Sequence, residues 1–371
     1  MHVVHISKVT GIAGSESHLL MLLPGLAGRG IGVTMVMLED PARRADDFYE
    51  AMAARGVAVE RVPIRSDIDL TLTRRLAGKL ERLKPDIVHT HLIHADLYGM
   101  AAARRAGVKR AVSSRHNDNP FRHNPAIRLA NRRAMRRANR VIAISEALNR
   151  FVREVEGVPA EKVTTIHYGL EPPDFPANAR EEGRRRFGYG GDTPVVGMFG
   201  RLIRQKGVDT LLNAFVLVRQ TIPDVALLIV GDGDQRAELE ELAGNLGIGG
   251  AVTFAGWVPQ AYNLMPICDL IAMPSRWEGF GLVALEAMGS ARPLIASRVS
   301  ALPEIVRDGE TGLLVPPDDP AALAEAIILV LSDHSLALRL GEAGYRRLAD
   351  SFSVDKMIRG TLSVYEDVIH P

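Results

Sequence analysis

One cysteine, Cys268, stands in 371 residues, so no disulfide can form within the chain. Two tryptophans and an aromatic share of 5% leave few platforms for stacking nucleic-acid bases. No apolar run reaches the ~20 residues that span a bilayer, and the sequence does not open on a charged segment followed by an apolar secretion signal. No Asp-x-Asp pair has an evident role in holding a divalent ion. These absences set the expectation of a cytoplasmic protein without disulfides.

What is present is an ordinary globular composition, 47% apolar and 24% charged, in a chain too long for one hydrophobic core. Two domains are the natural reading, and the charge supports it. Residues 1–170 hold 27 lysines and arginines against 17 acids, while residues 171–371 hold 18 against 27. The near-neutral total of +1 therefore hides opposite halves, of which the first faces something anionic.

An apolar strand at residues 2–6, the turn Gly11-Ile12-Ala13-Gly14, a helical pattern over residues 16–29 and a strand at 33–38 read as a βαβ unit. Further strands at 87–89, 110–113 and 141–144 alternate with helical stretches, the pattern of a parallel sheet covered on both faces. Residues 171–191, with Pro172, Pro173, Pro176 and Gly188 to Gly191, disfavour helix and strand and read as a linker with some structure of its own. Beyond it strands at 195–199, 226–230, 252–254, 270–273, 294–296 and 312–315 repeat the arrangement over residues 192–353. The expected fold class is α/β: two doubly wound, Rossmann-like domains with ligands placed in a cleft at the C-terminal edges of both sheets, and a final helix at about 354–371 packing back on the first domain, residues 1–170.

The segment from Ser275 to Met288 follows a strand and continues as a helix. Gly279 and Gly281 let backbone approach a ligand, and the free N–H groups of a helix's first turn attract anionic oxygens. Glu278 sits at the helix mouth, and Glu286 lies about two turns further on; carboxylates accept hydrogen bonds from sugar hydroxyls. In Gly200-Arg201-Leu202-Ile203-Arg204-Gln205-Lys206-Gly207, Arg201 offers a fork of donors and Lys206 a point charge, a combination suited to one diphosphate.

His89, His91 and His94 form a His-x-His-x2-His cluster that could supply metal ligands, but an acceptor-side wall or core polar contacts are the better reading. Residues 122–140 carry seven arginines and no acid, with Ile127, Leu129 and Met135 interspersed. A basic amphipathic helix is expected there, either solvated or docked on anionic lipid; nucleic acid is the poorer partner.

The spacing Glu278-x7-Glu286 around Gly279-Phe280-Gly281-Leu282, the Arg201-x4-Lys206-Gly207 motif, the Gly231-Asp232-Gly233 turn, and the runs 141–146 and 304–313 together resemble the retaining glycosyltransferases of family 4, with the GT-B fold. The resemblance covers nearly the whole chain. It implies that Arg201 and Lys206 neutralise the donor diphosphate, that Glu286 holds the ribose, and that Glu278 contacts the donor sugar. It further places the amides of Gly279, Phe280, Gly281 and Leu282 at sugar and phosphate, Gly231 and Asp232 near the base, and Gly14 near the diphosphate. His116, in Arg115-His116-Asn117-Asp118, matches the family histidine that contacts the donor sugar. Where the family often has two adjacent glycines in the first loop, Ala13 replaces one.

By the same resemblance the reaction retains configuration, needs no metal or other cofactor, and moves a hexose-type sugar from a UDP-sugar, or next a GDP-sugar, to a glycan, lipid-linked or small-molecule acceptor. A nucleotide-sugar-binding subunit without activity, or a glycoside hydrolase using Glu278 and Glu286, are the alternatives. The basic stretch adds a peripheral contact with the inner membrane face to the expected cytoplasmic location.

Overall fold

The computed structural model describes residues 1–66, 68–118, 122 and 124–370. The chain divides into two compact units, Met1–Gly169 with Val354–Pro371, and Leu170–Ser353. The first is built on seven parallel strands: β1 (His2–Lys8), β2 (Gly32–Glu39), β3 (Ala58–Pro63), β4 (Ile87–His91), β5 (Ala111–Arg115), β6 (Arg140–Ala143) and β7 (Val163–Thr165). Their order is β3-β2-β1-β4-β5-β6-β7. The second has six, all parallel: β8 (Val195–Phe199), β9 (Ala226–Val230), β10 (Val252–Gly256), β11 (Leu270–Met273), β12 (Leu294–Ser297) and β13 (Leu313–Val315), in the order β10-β9-β8-β11-β12-β13.

Both sheets are the Rossmann-like, doubly wound sheets expected. In each the chain winds outward from its first strand, then returns to build the other half, so strand order reverses between β1 and β4 and between β8 and β11. At such a switch point the loops leaving two neighbouring strands turn opposite ways and leave a crevice. Of the strands that flank these switch points, β4, β8 and β11 are wholly buried and β1 is buried at all but its two end residues, as sheets with helices on both faces require.

The cores follow from that winding. In the second unit Val196, Met198, Leu227, Ile229 and Leu270 meet Leu211, Phe215 and Val218 of helix Val208–Thr221 and Ile327 of helix Pro320–Ser332. In the first, Val3, Met35, Ile87 and Val112 share one sheet face with Leu19, Leu22 and Leu26 of helix Gly14–Ala27 and with Met357, Ile358 and Tyr365 of helix Val354–Ile369. The final helix is thus part of the first unit's core.

The stretch 171–191 has structure of its own, helix Ala179–Arg186, anchored by Arg180 and Arg184, which donate to the 266–268 carbonyls and to Asp269. Those contacts supply what the local composition lacks, and the stretch belongs to the second unit's body. The arginine-rich run is not one helix: the helix is Pro125–Met135, Arg140 begins β6, and Arg122 is buried in an ion pair with Glu156, at 2.6 Å. Arg132 and Arg133, with Leu129, are exposed on that helix, and Arg136 and Arg137 are exposed just past its end.

Candidate active site

The switch point of the second sheet brings the two motif loops together. The loop after β8 carries Arg201 to Gly207 and the loop after β11 carries Ser275 to Gly281. They are stitched by backbone, Arg276 N–H to the Gln205 carbonyl at 2.8 Å, and by the Gln205 amide donating to the Trp277 carbonyl, also 2.8 Å. Lys206 Nζ donates to Glu278 Oε1 at 2.5 Å, and Ser275 Oγ donates to the same oxygen at 2.8 Å. Both side chains are largely buried, so each supplies the opposite charge that the other's burial requires. Glu278 Oε2 has no protein partner among the described residues, and neither has the exposed guanidinium of Arg201.

Gly281 lies in the left-handed region, φ +105°, and caps helix Leu282–Gly289, whose first-turn amides have no side-chain cap. The ring of Phe280 is buried edge-on against Phe352, so it anchors the loop and leaves Gly279 and Gly281 to present backbone. Glu286, one residue past mid-helix, is half-buried, and desolvation pushes its carboxyl up to about 7 against the pull of Lys206. Gly231, at the end of β9, has φ +143°, and a Cβ there would stand 1.9 Å from the Gly200 carbonyl oxygen. Only glycine allows that approach, which sets the Asp232 turn beside the loop after β8. Asp232 itself is exposed, paired with Arg236 at 3.3 Å.

In the first unit, Gly14 is exposed in the first turn of helix Gly14–Ala27. Ala13 caps that helix in extended conformation, φ −130°, which any residue adopts, so the missing glycine changes no backbone geometry. The Ala13 N–H donates to Glu16 at 3.2 Å, fixing the turn.

His116, just past β5, is 7% exposed and enters a buried row of rings. His5 of β1 stands opposite His89 of β4, and His91 is two residues on, so all three share a sheet face. His94 lies instead on helix Leu92–Arg105; the third ring of the triad is His5, which no local spacing could reveal. One nitrogen each of His5, His89 and His91 lies within 4.8 Å of the others, the one such metal-sized group among the described residues. These nitrogens already have partners. His5 Nδ1 meets His91 Nε2 at 3.0 Å, His91 Nδ1 meets His116 Nε2 at 3.0 Å, His116 Nδ1 meets the Tyr168 hydroxyl, and His89 bonds Tyr365 at 2.6 Å and Ser114 at 2.8 Å. Burial lowers the pKa of His5 and of His18 to about 3 and holds His89, His91 and His116 well below the ordinary histidine value.

On the opposite face of the same strands, Arg115 is fully buried between Asp96 at 2.5 Å, Glu156 at 2.9 Å and Asn131 at 3.0 Å. This network and the Arg276 clasp on Asp209 and Asp318 escaped the sequence reading, because each joins residues remote in the chain. The polar composition of β4 (IVHTH) and β5 (AVSSR) was the one available signal.

Two family models match the chain: Glycosyltransferase Family 4 over residues 12–172 and Glycosyl transferases group 1 over residues 179–347. The GDP-mannose-dependent alpha-(1-6)-phosphatidylinositol monomannoside mannosyltransferase of Mycolicibacterium smegmatis is 32% identical over 83% of this chain and 84% of its own. The alpha-D-kanosaminyltransferase of Streptomyces kanamyceticus is 27% identical over 95% and 99%. Among solved structures, Anabaena HepE, crystallised with UDP and glucose, superposes with a TM-score of 0.87 at 22% identity, covering 99% of this chain and 100% of that one. With two Rossmann-like sheets, both family models and a relative above 30% identity along most of its length, the chain belongs to the family 4, group 1 glycosyltransferases of the GT-B fold.

Proposed function

We propose that the chain transfers a hexose-type sugar from a nucleoside diphosphate sugar, with retention of configuration and without an obligatory metal. The observation that carries this reading is the meeting, at one switch point, of an unpartnered guanidinium, a largely buried ammonium and an uncapped helix start. Three kinds of positive donor converge where a pyrophosphate would sit, and none is needed to hold the fold's core. In this reading Arg201 and Lys206 stabilise charge on the departing diphosphate, which is the role a metal would otherwise fill. The amides of Gly279, Phe280, Gly281 and Leu282 support sugar and phosphate, and Glu286 accepts from the ribose hydroxyls. Glu278 turns its free Oε2 to the sugar, Gly231 and Asp232 border the base, and Gly14 and His116 serve as further donor contacts.

A glycoside hydrolase fits less well. A hydrolase needs no diphosphate clamp, whereas Arg201, Lys206 and the start of helix Leu282–Gly289 gather positive donors at one point. UDP is the favoured carrier, by family resemblance; HepE was crystallised with UDP, and the mycolicibacterial relative is named for GDP-mannose. The acceptor belongs to the glycan, lipid-linked or small-molecule classes, and the exposed arginines of helix Pro125–Met135 suit one carried on an anionic surface.

Calorimetric titration with UDP, GDP and ADP in the presence of EDTA, followed by donor hydrolysis with sugars on the tightest-binding nucleotide, tests the reading. Binding of one nucleoside diphosphate with slow release of free sugar is expected. Loss of binding in EDTA, or hydrolysis of plain glycosides instead, overturns it.

A further inference from the structure

The row of rings in the first unit is a single hydrogen-bonded chain, and its direction can be read from its lengths. It runs Tyr168, His116, His91, His5, Tyr365, His89, Ser114. Every member is buried: Tyr168 is 4% exposed, His116 7%, Ser114 3% and the other four not at all. Each of the four imidazoles uses both ring nitrogens within the chain. A neutral imidazole has one N–H and one lone pair, so a ring with two such partners must donate to one and accept from the other. Once the direction of one link is fixed, all are.

Tyr365 fixes it. Its hydroxyl lies 2.6 Å from His89 Nδ1 and 3.3 Å from His5 Nε2. Bonds donated by a hydroxyl are shorter than bonds donated by a ring N–H, so Tyr365 donates to His89 and accepts from His5. His5 then carries its proton on Nε2 and accepts at Nδ1 from His91 Nε2. His91 accepts at Nδ1 from His116 Nε2, and His116 accepts at Nδ1 from Tyr168. His89 passes its own Nε2 proton to Ser114 at 2.8 Å.

We infer that Tyr168, His91, His5 and Tyr365 are positioning residues that lock His116 as a neutral imidazole, proton on Nε2, with its ring unable to turn. Every group in the row is buried, and what the row carries is orientation. Rotating or protonating any one ring would leave a buried donor facing a donor, and such unmade bonds are expensive in an apolar interior. The consequence for catalysis rests on the function proposed above. Beside a donor sugar whose anomeric carbon gains positive charge as its bond breaks, an imidazolium would repel the transition state, whereas a fixed neutral ring does not.

The test is the nitrogen-15 spectrum of the histidine rings in the full-length protein at neutral pH. In the wild type, His5, His89, His91 and His116 are expected to show protonated Nε2 and bare Nδ1; an imidazolium or the opposite tautomer at His116 overturns the inference. Tyr365→Phe, three rings away from His116, removes the acceptor of the His5 proton. The expected result is a flip of the whole row, with the His116 proton moving to Nδ1 and Tyr168 becoming its acceptor. An unchanged His116 signal in a folded Tyr365→Phe protein also overturns it.

Donor turnover separates the two readings. A flipped tautomer with kcat lowered about tenfold and donor KM nearly unchanged supports both. A flip with unchanged kcat upholds the chain and removes His116 from the donor contact. Stoichiometric zinc in the purified protein, lost in His89→Ala, overturns the chain, because an ion held by His5, His89 and His91 would take the lone pairs on which its direction depends.

Discussion

The two units share a winding and differ in how they bury polarity at the switch point. In the first, the strands on either side of the reversal carry His5, His89 and His91, uncharged rings that satisfy one another. In the second, those strands are apolar throughout and the polarity stands on the loops beyond them, as the Lys206–Glu278 pair and the bare Arg201. One sheet has built a neutral interior row, the other a charged rim. The same topology therefore sets where a site is and leaves its electrostatics to side chains.

The sharpest way to break the comparison is acid. His5 and His18 have folded pKa values near 3 against about 6.5 unfolded, so as pH falls the unfolded chain takes up protons that the folded one refuses. Stability is full above about pH 6.5 and falls below it by about 1.4 kcal/mol per pH unit per ring, or about 4 kcal/mol for the two by pH 5. Hydrogen exchange should accelerate at pH 5 in β1 and β4 while β8 and β11 change little. The only tryptophans, Trp257 and Trp277, lie in the second unit and give it a separate fluorescence signal. Parallel loss in both units would end the contrast.

Next in size is the rim itself. Lys206→Ala or Arg201→Ala should lower donor turnover about 10²-fold, the usual effect of removing one donor to a developing negative charge. Only the first should also weaken the fold, since it strands Glu278. Near-normal turnover in both would show the charges to be ornamental.

Glu286 sharpens the comparison further, as the second unit's one acid with a raised pKa. Its folded value of about 7 against 4.5 means that stability is lost as pH rises through 7, the price of keeping a carboxylate in a half-buried place. Glu286→Gln should raise stability at pH 8 by about 2 kcal/mol and weaken nucleotide binding about tenfold. In the wild type, nucleotide affinity should fall as pH drops from 8 to 6. Denaturant titration and calorimetry at both pH values check the two signs. The smallest effect is expected from Ala13→Gly, because that residue is already extended: donor KM within about twofold of wild type and a loss of about 0.5 kcal/mol.

Much of this was legible in the chain, for particular reasons. Strand and helix periods located the central strands of both sheets, but β3 and β7 were missed: β3 is an edge strand with the mixed sequence AVERVP, and β7 has three residues. The second unit's motif residues are close in sequence within each loop, so their chemistry could be read before their meeting was seen. The histidine row could not be read that way. Its members come from β1, β4, the end of β5, the 163–169 segment and the last helix, up to 360 residues apart.

The sequence by itself determined the α/β class, the doubling of the fold and the family, because alternating apolar periods and glycine-punctuated motifs are local signals. Only the tertiary structure decided that Lys206 neutralises Glu278, that Arg115 is buried between two acids, and that His5 rather than His94 completes the triad. Hydrogen bonds and ion pairs act over a few ångströms of space, and which remote residues come within that reach is settled by sheet order and register.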